Sequence, residues 1–442
     1  MTTMTIKGGT LISASGQSRG DVLIDAGRVV AVGDVETIGD VVNASGQLVM
    51  PGMVDTHVHL MDPGETDRED FPFGTRAAAA RGVTTIVEHT HSHPVRSPQE
   101  LHEKRHHLEG RSNVDYGLAA HVWPDRIDQI AGLSAEGISF FKIFTCDTHG
   151  VPGLNQESLH AALTAIAAAD GRCLIHNEDE VLTSEAERRL RAANRVDPAL
   201  LGEWRSREAE LMAVTNSSAV VLDTGAKATF AHVSTPDVLD VIDAYRDVGA
   251  DIVAEACPQY FALDEDEVNE HGALRKFTPP ARIRSESERA EMWQAVKDRR
   301  FSHFSTDHAP STIQQKTTGD FWDAPFGLPG LDTTMPFLID AALSGRMMMS
   351  DLVRLYATGP ATRHRLPKGV IAEGADADIV LVDPEGSWTV RDEDILSKAG
   401  WSPYSGRTFR GQIVATYLRG EEVARDGSCH DMRTGRFVRP VL

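Results

Sequence analysis

Hydrophobic positions along this chain change their period twice. From residue 1 to about 50 they fall in short runs, at 5–7, 10–12, 21–24, 28–32 and 47–50, divided by turn residues such as Gly8-Gly9 and Gly27. No helical period shows there. The segment reads as a small β unit that cannot bury both faces of its own sheet. From Met53 the texture becomes apolar strand alternating with amphipathic helix. Strands are expected at 53–59, 84–88, 116–122, 139–144, 173–176, 228–232, 251–255 and 301–306. Helices are expected at 73–81, 126–131, 156–169, 207–222, 236–248 and 286–299, with one more at 331–343. Eight such alternations predict an α/β fold, a parallel (β/α)8 barrel whose usual core is about 250 residues. A doubly wound open sheet is the alternative, disfavoured because no glycine-rich phosphate loop follows the first strand. The tail returns to β runs at 376–383 and 413–423. Each end segment lacks a partner sheet. The economical arrangement joins 1–52 and 366–442 in one small β-sandwich and inserts the barrel, 53–365, between them.

Composition narrows the function class. A chain of 442 residues, 41% hydrophobic and 25% charged, has the makeup of a soluble protein with one large domain and a smaller one. A net charge of −21 argues against nucleic acid and anionic membrane as partners, since both select a basic face. The start, Met1-Thr-Thr-Met-Thr-Ile-Lys7, lacks the basic and apolar regions of a signal peptide. No apolar run approaches the ~18 residues of a membrane span. Cys146, Cys173, Cys257 and Cys429 are scattered with no C-x-x-C, which suits free thiols in a reducing cytoplasm.

The candidate chemistry lies at strand ends, where barrel enzymes gather it. Pro51-Gly-Met-Val-Asp55-Thr-His57-Val-His59-Leu60 ends an apolar run in two histidines spaced i, i+2, on one face of a strand. Two neutral imidazoles so placed form a divalent-metal clamp. Four later strands each carry one further candidate: Lys142, His176, His232 and Asp307. Singly, His176 or His232 fits a hydrogen-bonded core histidine and Asp307 fits a turn cap. Lys142, inside Phe140-Phe-Lys-Ile-Phe144, is costly to bury as an ammonium. Six such residues at successive strand ends do not share the simpler explanation. Five are ready ligands. A lysine carboxylated on Nζ would become an anionic oxygen donor able to bridge two metals, and burial supplies the neutral amine that this requires. Asp307 is then placed to take a proton from water and return it to a leaving nitrogen.

These motifs resemble the amidohydrolase superfamily, in particular its cyclic-amide hydrolases: hydantoinase/dihydropyrimidinase, allantoinase and dihydroorotase. The likeness spans the chain, from Pro51-Gly-x-Val-Asp-x-His-x-His through Gly137-Ile-Ser-Phe-Phe-Lys-Ile-Phe144, Phe230-Ala-His-Val-Ser234 and Ser305-Thr-Asp-His-Ala-Pro310 to Gly374-Ala-Asp-Ala-Asp-Ile-Val380 and Ser402-Pro-Tyr-Ser-Gly-Arg407. It implies a TIM-like barrel with a β-sandwich and two divalent ions, zinc foremost. By resemblance His57 and His59 hold the more buried metal, His176 and His232 the second, and carboxylated Lys142 bridges them. Asp307 is ligand and general base. A small cyclic amide as substrate and a homotetramer are further implications.

The branch is less sharply marked. Met61 stands where dihydroorotases carry an arginine for the substrate carboxylate, with Arg68 or Arg96 as substitutes. Asp115-Tyr-Gly117 and Cys257-Pro-Gln-Tyr260 are hydantoinase-like, but Phe144-Thr-Cys-Asp147 replaces the run that holds their tyrosine, and Phe326 precedes Gly327 where they have asparagine. Asp62-Pro-Gly-Glu-Thr66 followed by Phe71 is allantoinase-like, yet Glu88-His-Thr-His-Ser-His93 replaces Met-Pro-Leu-Asn. Met61, His89, His91, Cys146, Thr278 and Gly327 are the candidates for contacting substrate. His89, His91 and His93 alternate, so an extended segment turns all three one way, as a polar loop, as substrate donors or acids, or as a third metal site. The expected activity is hydrolysis of a cyclic amide, imide or ureide. Its rivals are dihydroorotase, a mononuclear deaminase and a non-catalytic dihydropyrimidinase-related structural protein.

Overall fold

The computed structural model describes residues 3–441; Met1, Thr2 and Leu442, which the expected sandwich includes, lie outside the described residues. Eight parallel strand positions carry the site. The first is Met53–Val58, the second Val83–Glu88, the third Asp115–Leu118 continued by Ala120–His121, and the fourth Phe141–Phe144. Cys173–His176, Ala228–Phe230, Ile252–Ala256 and Phe301–Phe304 are the fifth to eighth. Every residue of the first, second and fourth strands is buried, as parallel strands covered on both faces require. The break at Ala119 divides the ladder into a three-stranded and a six-stranded sheet. Backbone bonds rejoin them: Ala119 N–H donates to Glu88 O at 3.0 Å, and His59 N–H to His308 O at 2.8 Å. Pairing therefore runs from the first strand round to the eighth and back to the first.

The end segments meet in hydrogen bonding as a single sheet of nine strands. The junction is Leu48–Pro51, which pairs antiparallel with Ile379–Thr389 on one side and parallel with Met4–Ser13 on the other. This sheet has its own apolar cluster, drawn from both chain ends, with Ile6, Val22 and Ile24 beside Ile379, Leu381 and Tyr417.

Two helices of the alternation have a pattern too polar to read. Pro98–Leu108 buries only Leu101, Lys104 and Leu108, and Glu180–Ala192 only Thr183, Ala186 and Leu190. Both keep the i, i+3, i+7 spacing of a buried stripe but fill it with few large apolar side chains. Their N-caps are sound: Ser97 accepts from Glu100 N–H and Asp179 from Leu182 N–H. Among the described residues no helix is long and apolar enough to cross a membrane.

Candidate active site

The i, i+2 spacing does what strand geometry demands of it. His57 and His59 are both buried, with ring centroids 5.2 Å apart. Each ring is held from behind. His57 Nδ1 donates to Glu255 Oε1, at the end of the seventh strand, at 2.7 Å, and His59 Nδ1 donates to the carbonyl of His89 at 2.6 Å. With Nδ1 donating, each Nε2 turns a lone pair inward. Both inward nitrogens meet Asp307 Oδ1, at 3.2 and 3.3 Å. Lys142, on the fourth strand, brings Nζ to 3.2 Å from His57 Nε2. Across the site His176 Nδ1 and His232 Nε2 face each other at 2.9 Å, while His176 Nε2 donates to Glu178 Oε2 at 2.7 Å. These six residues line one narrow cavity of about 20 Å³.

Burial and neighbouring charge set the protonation states. Desolvation pushes His59 down to about 4 and His232 well below its usual range, so both imidazoles are neutral. Burial alone would raise the Asp307 carboxyl, but His57, His59 and His232 outweigh it and hold it below the carboxylate range. Glu178 is depressed in the same way: burial opposes ionisation, and Arg205 and His176 overcome it. Its Oε2 also accepts from Thr278 Oγ1 at 2.6 Å and lies 3.3 Å from Arg205 Nη1. Burial lowers the Lys142 amine to about 8, against the pull of Asp307 and Glu255.

The donor set fits a pair of divalent metal ions. Four imidazoles present inward nitrogens, three of them with the opposite nitrogen anchored on a carboxylate or carbonyl, as metal-binding histidines are. Two such nitrogens at 2.9 Å are well matched to a cation between them and poorly matched to each other. Among the described residues no carboxylate forms an ion pair with Lys142, so as an ammonium it is buried without an anionic partner. The backbone is strained here as well. His232 and Asp307, at φ 39° and 50°, and the flanking Met61 and His149, at 55° and 54°, hold left-handed conformations, a cost that clusters at functional sites.

Of the candidate substrate contacts, His91, Thr278 and Gly327 line this cavity. Met61, His89 and Cys146 are buried outside its lining. The Cys146 thiol lies 3.3 Å from Arg205 Nη1, and burial pushes it up to about 12. Arg68 is bound to Glu65 at 2.7 Å and Arg96 to Glu100 at 2.8 Å, so neither is a free carboxylate clamp.

Several residues that contact the candidate ligands carry no mark in the sequence motifs. Glu255 ends an otherwise apolar strand and His121 ends the third, the same signal that marked His176, so both were findable. Glu178 sits two residues past His176, and Arg205 meets it only through folding. His149, stacked on His91 with centroids 4.4 Å apart, occupies an irregular loop that carries no periodic signal.

The profile of the amidohydrolase family matches residues 48–423. An allantoinase of Rubrobacter xylanophilus is 33% identical, over 99% of this chain and 97% of that protein. An L-hydantoinase (dihydropyrimidinase) from Arthrobacter aurescens superposes with a TM-score of 0.93 at 27% identity, covering 99% of this chain and 100% of the other. A dihydropyrimidinase from Brevibacillus agri does so with a TM-score of 0.92 at 27% identity, over 99% and 98%.

Proposed function

The chain belongs to the amidohydrolase family, and on that premise we propose that it is a metal-dependent hydrolase that opens a cyclic amide, with hydantoin-type ureides as the first substrate class. Allantoin and hydantoins share that five-membered ring, and they correspond to the two kinds of relative found. The observation that carries the reading is the convergence of four imidazoles, Asp307 and Lys142 on one cavity, with inward lone pairs fixed by outer hydrogen bonds.

In this reading His57 and His59 hold one divalent ion and His176 and His232 the other, with zinc as the expected metal. Lys142 would carry a carboxylate on Nζ, its neutral amine adding carbon dioxide and releasing a proton, and would then supply anionic oxygen to the pair of ions where an ammonium could not. When bound, the ions polarise the scissile carbonyl and make water acidic enough to attack at neutral pH. Asp307 Oδ1 faces both imidazoles, which leaves Oδ2 to take the proton of the attacking water. The same oxygen then returns that proton to the nitrogen as the ring C–N bond breaks. Thr278 and the Gly327 backbone lie where they can orient the ring, and Phe326 and Phe144 exclude water from it. The parallel ring is read as a closed (β/α)8 barrel over 53–365, and the end sheet as the sandwich unit of 1–52 and 366–442. A homotetramer working in the cytoplasm completes the proposal.

Metal content and turnover on allantoin, hydantoin, 5-substituted hydantoins, dihydrouracil, dihydroorotate and cyclic imides test it, with Lys142→Ala as control. Two metals per chain and ring opening of a ureide, both lost in the variant, are expected. One metal per chain would favour the mononuclear deaminase. Neither metal nor turnover after loading would sink the enzyme reading.

A further inference from the structure

The loop after the second strand carries His89, His91 and His93, and the structure separates what alternation put together. His93 is turned to solvent, whereas His89 is buried and His91 half-buried. Folding brings a third imidazole to the two inner ones: His121, at the end of the third strand. Ligating nitrogens of His89, His91 and His121 all lie within 4.8 Å of one another. The ring centroids of His121 are 5.9 Å from His89 and 5.6 Å from His91.

Both nitrogens of His89, both of His121 and Nε2 of His91 are buried without a hydrogen-bond partner among the described residues. Five such atoms together are not tolerated in a settled core without a ligand or water. Phe140 and Phe144 pack edge-on against His89 and His91 and accept no hydrogen bond from them, while His59 and His149 pack on His91 from its other sides. The supports are rigid: His121 N–H donates to Val95 O at 2.8 Å and His89 N–H to Val58 O at 3.0 Å. His91 lines the active-site cavity and also an outer groove with Ser92 and Trp123, so a fourth position can be reached from solvent.

We infer that His89, His91 and His121 form a third metal site, for a divalent transition ion of the zinc or cobalt type, beside the pair proposed above. Three neutral imidazoles with one open position are a recurrent donor set for such ions, while calcium and magnesium, which need oxygen, are excluded. Because His89 also lies within 4.8 Å of His57 and His59, His91 and His121 are the residues that separate a distinct site from an extension of the first.

The test is metal analysis of the whole protein equilibrated with Co²⁺ and freed of excess, comparing wild type with His121→Asn and His91→Asn. Circular dichroism checks that each variant is folded, and His91, the less buried, serves if His121→Asn is not. Each variant is expected to hold one equivalent fewer per chain than wild type, and to gain less in Tm on adding Co²⁺. That difference reads the third site whatever number the other ligands hold, so failure of the binuclear reading would appear separately, in the wild-type total. Equal cobalt in wild type and a folded variant would overturn the site and assign the imidazoles to water. Loss of two or more equivalents from a folded variant would also overturn it, by merging these histidines with the first centre.

Discussion

At the scale of the residue, what marks three of the four histidines proposed as ligands is the partner behind the ring. Glu255 accepts from His57 Nδ1 and from the backbone N–H of His232 at 3.0 Å, so one buried carboxylate orients ligands of both proposed ions. Glu255→Gln keeps the volume and loses the anionic acceptor. It is expected to lower metal retention about 10–100-fold, read as the chelator concentration that strips the protein, because outer-shell partners contribute that much. Asp307→Asn removes the proton carrier. A fall in kcat of about 10²–10⁴, well beyond any loss of bound metal, is the expected outcome in assays at saturating Zn²⁺. A loss confined to metal content would make Asp307 a ligand only.

Elements position these residues through their ends, and the least regular segment is the most firmly tied. Lys276 Nζ donates to the carbonyls of Phe321, Trp322 and Ala324 at 2.7, 3.1 and 2.6 Å, and Lys316 Nζ donates to Lys276 O and Pro325 O at 2.8 Å each. Two buried lysine side chains therefore fold the stretch that sets Phe326 and Gly327 over the cavity. Gly327 has φ 115°, and a Cβ there would stand 2.2 Å from the carbonyl oxygen of Ala309, two residues past Asp307. Gly327→Ala must move this backbone. We expect about 1–3 kcal/mol less stability in denaturant unfolding and at least a tenfold drop in kcat/KM, with metal content unchanged. The same view of elements explains which were legible. Strands with continuous apolar runs announced themselves, whereas 98–108 and 180–192 hid because a helix needs only a narrow stripe to dock.

Across the whole molecule, one buried charge cluster joins the end sheet to the parallel ring. Lys368 Nζ lies 2.6, 2.7 and 2.8 Å from Asp115, Asp376 and Asp378, and Arg419 pairs with Asp115 as well. Asp115 belongs to the third parallel strand, while Arg419 follows a strand of the end sheet, Thr408–Leu418. Burial alone would lower the lysine, but Asp378 and Asp115 outweigh it and raise it above its ordinary 10.5. A raised amine contributes stability that is complete below that ordinary value and is lost as pH rises through the folded one. Unfolding midpoints are therefore expected to drop at alkaline pH more steeply in wild type than in Lys368→Met. At pH 7 that variant strands carboxylates in the interior and is expected to lose about 3–5 kcal/mol. The deficit should shrink toward pH 4, where the stranded carboxylates take up protons.

The sequence by itself determined the alternation of strand and helix and the identity of the six residues at the strand ends. Both follow from local rules: side-chain period, and the poor fit of His, Lys or Asp in an apolar run. Only the tertiary structure decided what lies behind and beside them. Glu178 and Arg205 are 27 residues apart in sequence and Glu255 is 198 from His57, so no local pattern couples them. That the two end segments join was legible from each one's lack of a partner sheet. The pairing of Leu48–Pro51 with both Met4–Ser13 and Ile379–Thr389, however, is a long-range register that backbone hydrogen bonds set without a sequence label. His121 illustrates the difference most plainly. Alternation placed His93 with His89 and His91, but alternation specifies a face only while the chain stays extended, and the loop after Glu88 turns. The fold replaces His93 with an imidazole from another strand, and packing around that turn is what brings it there.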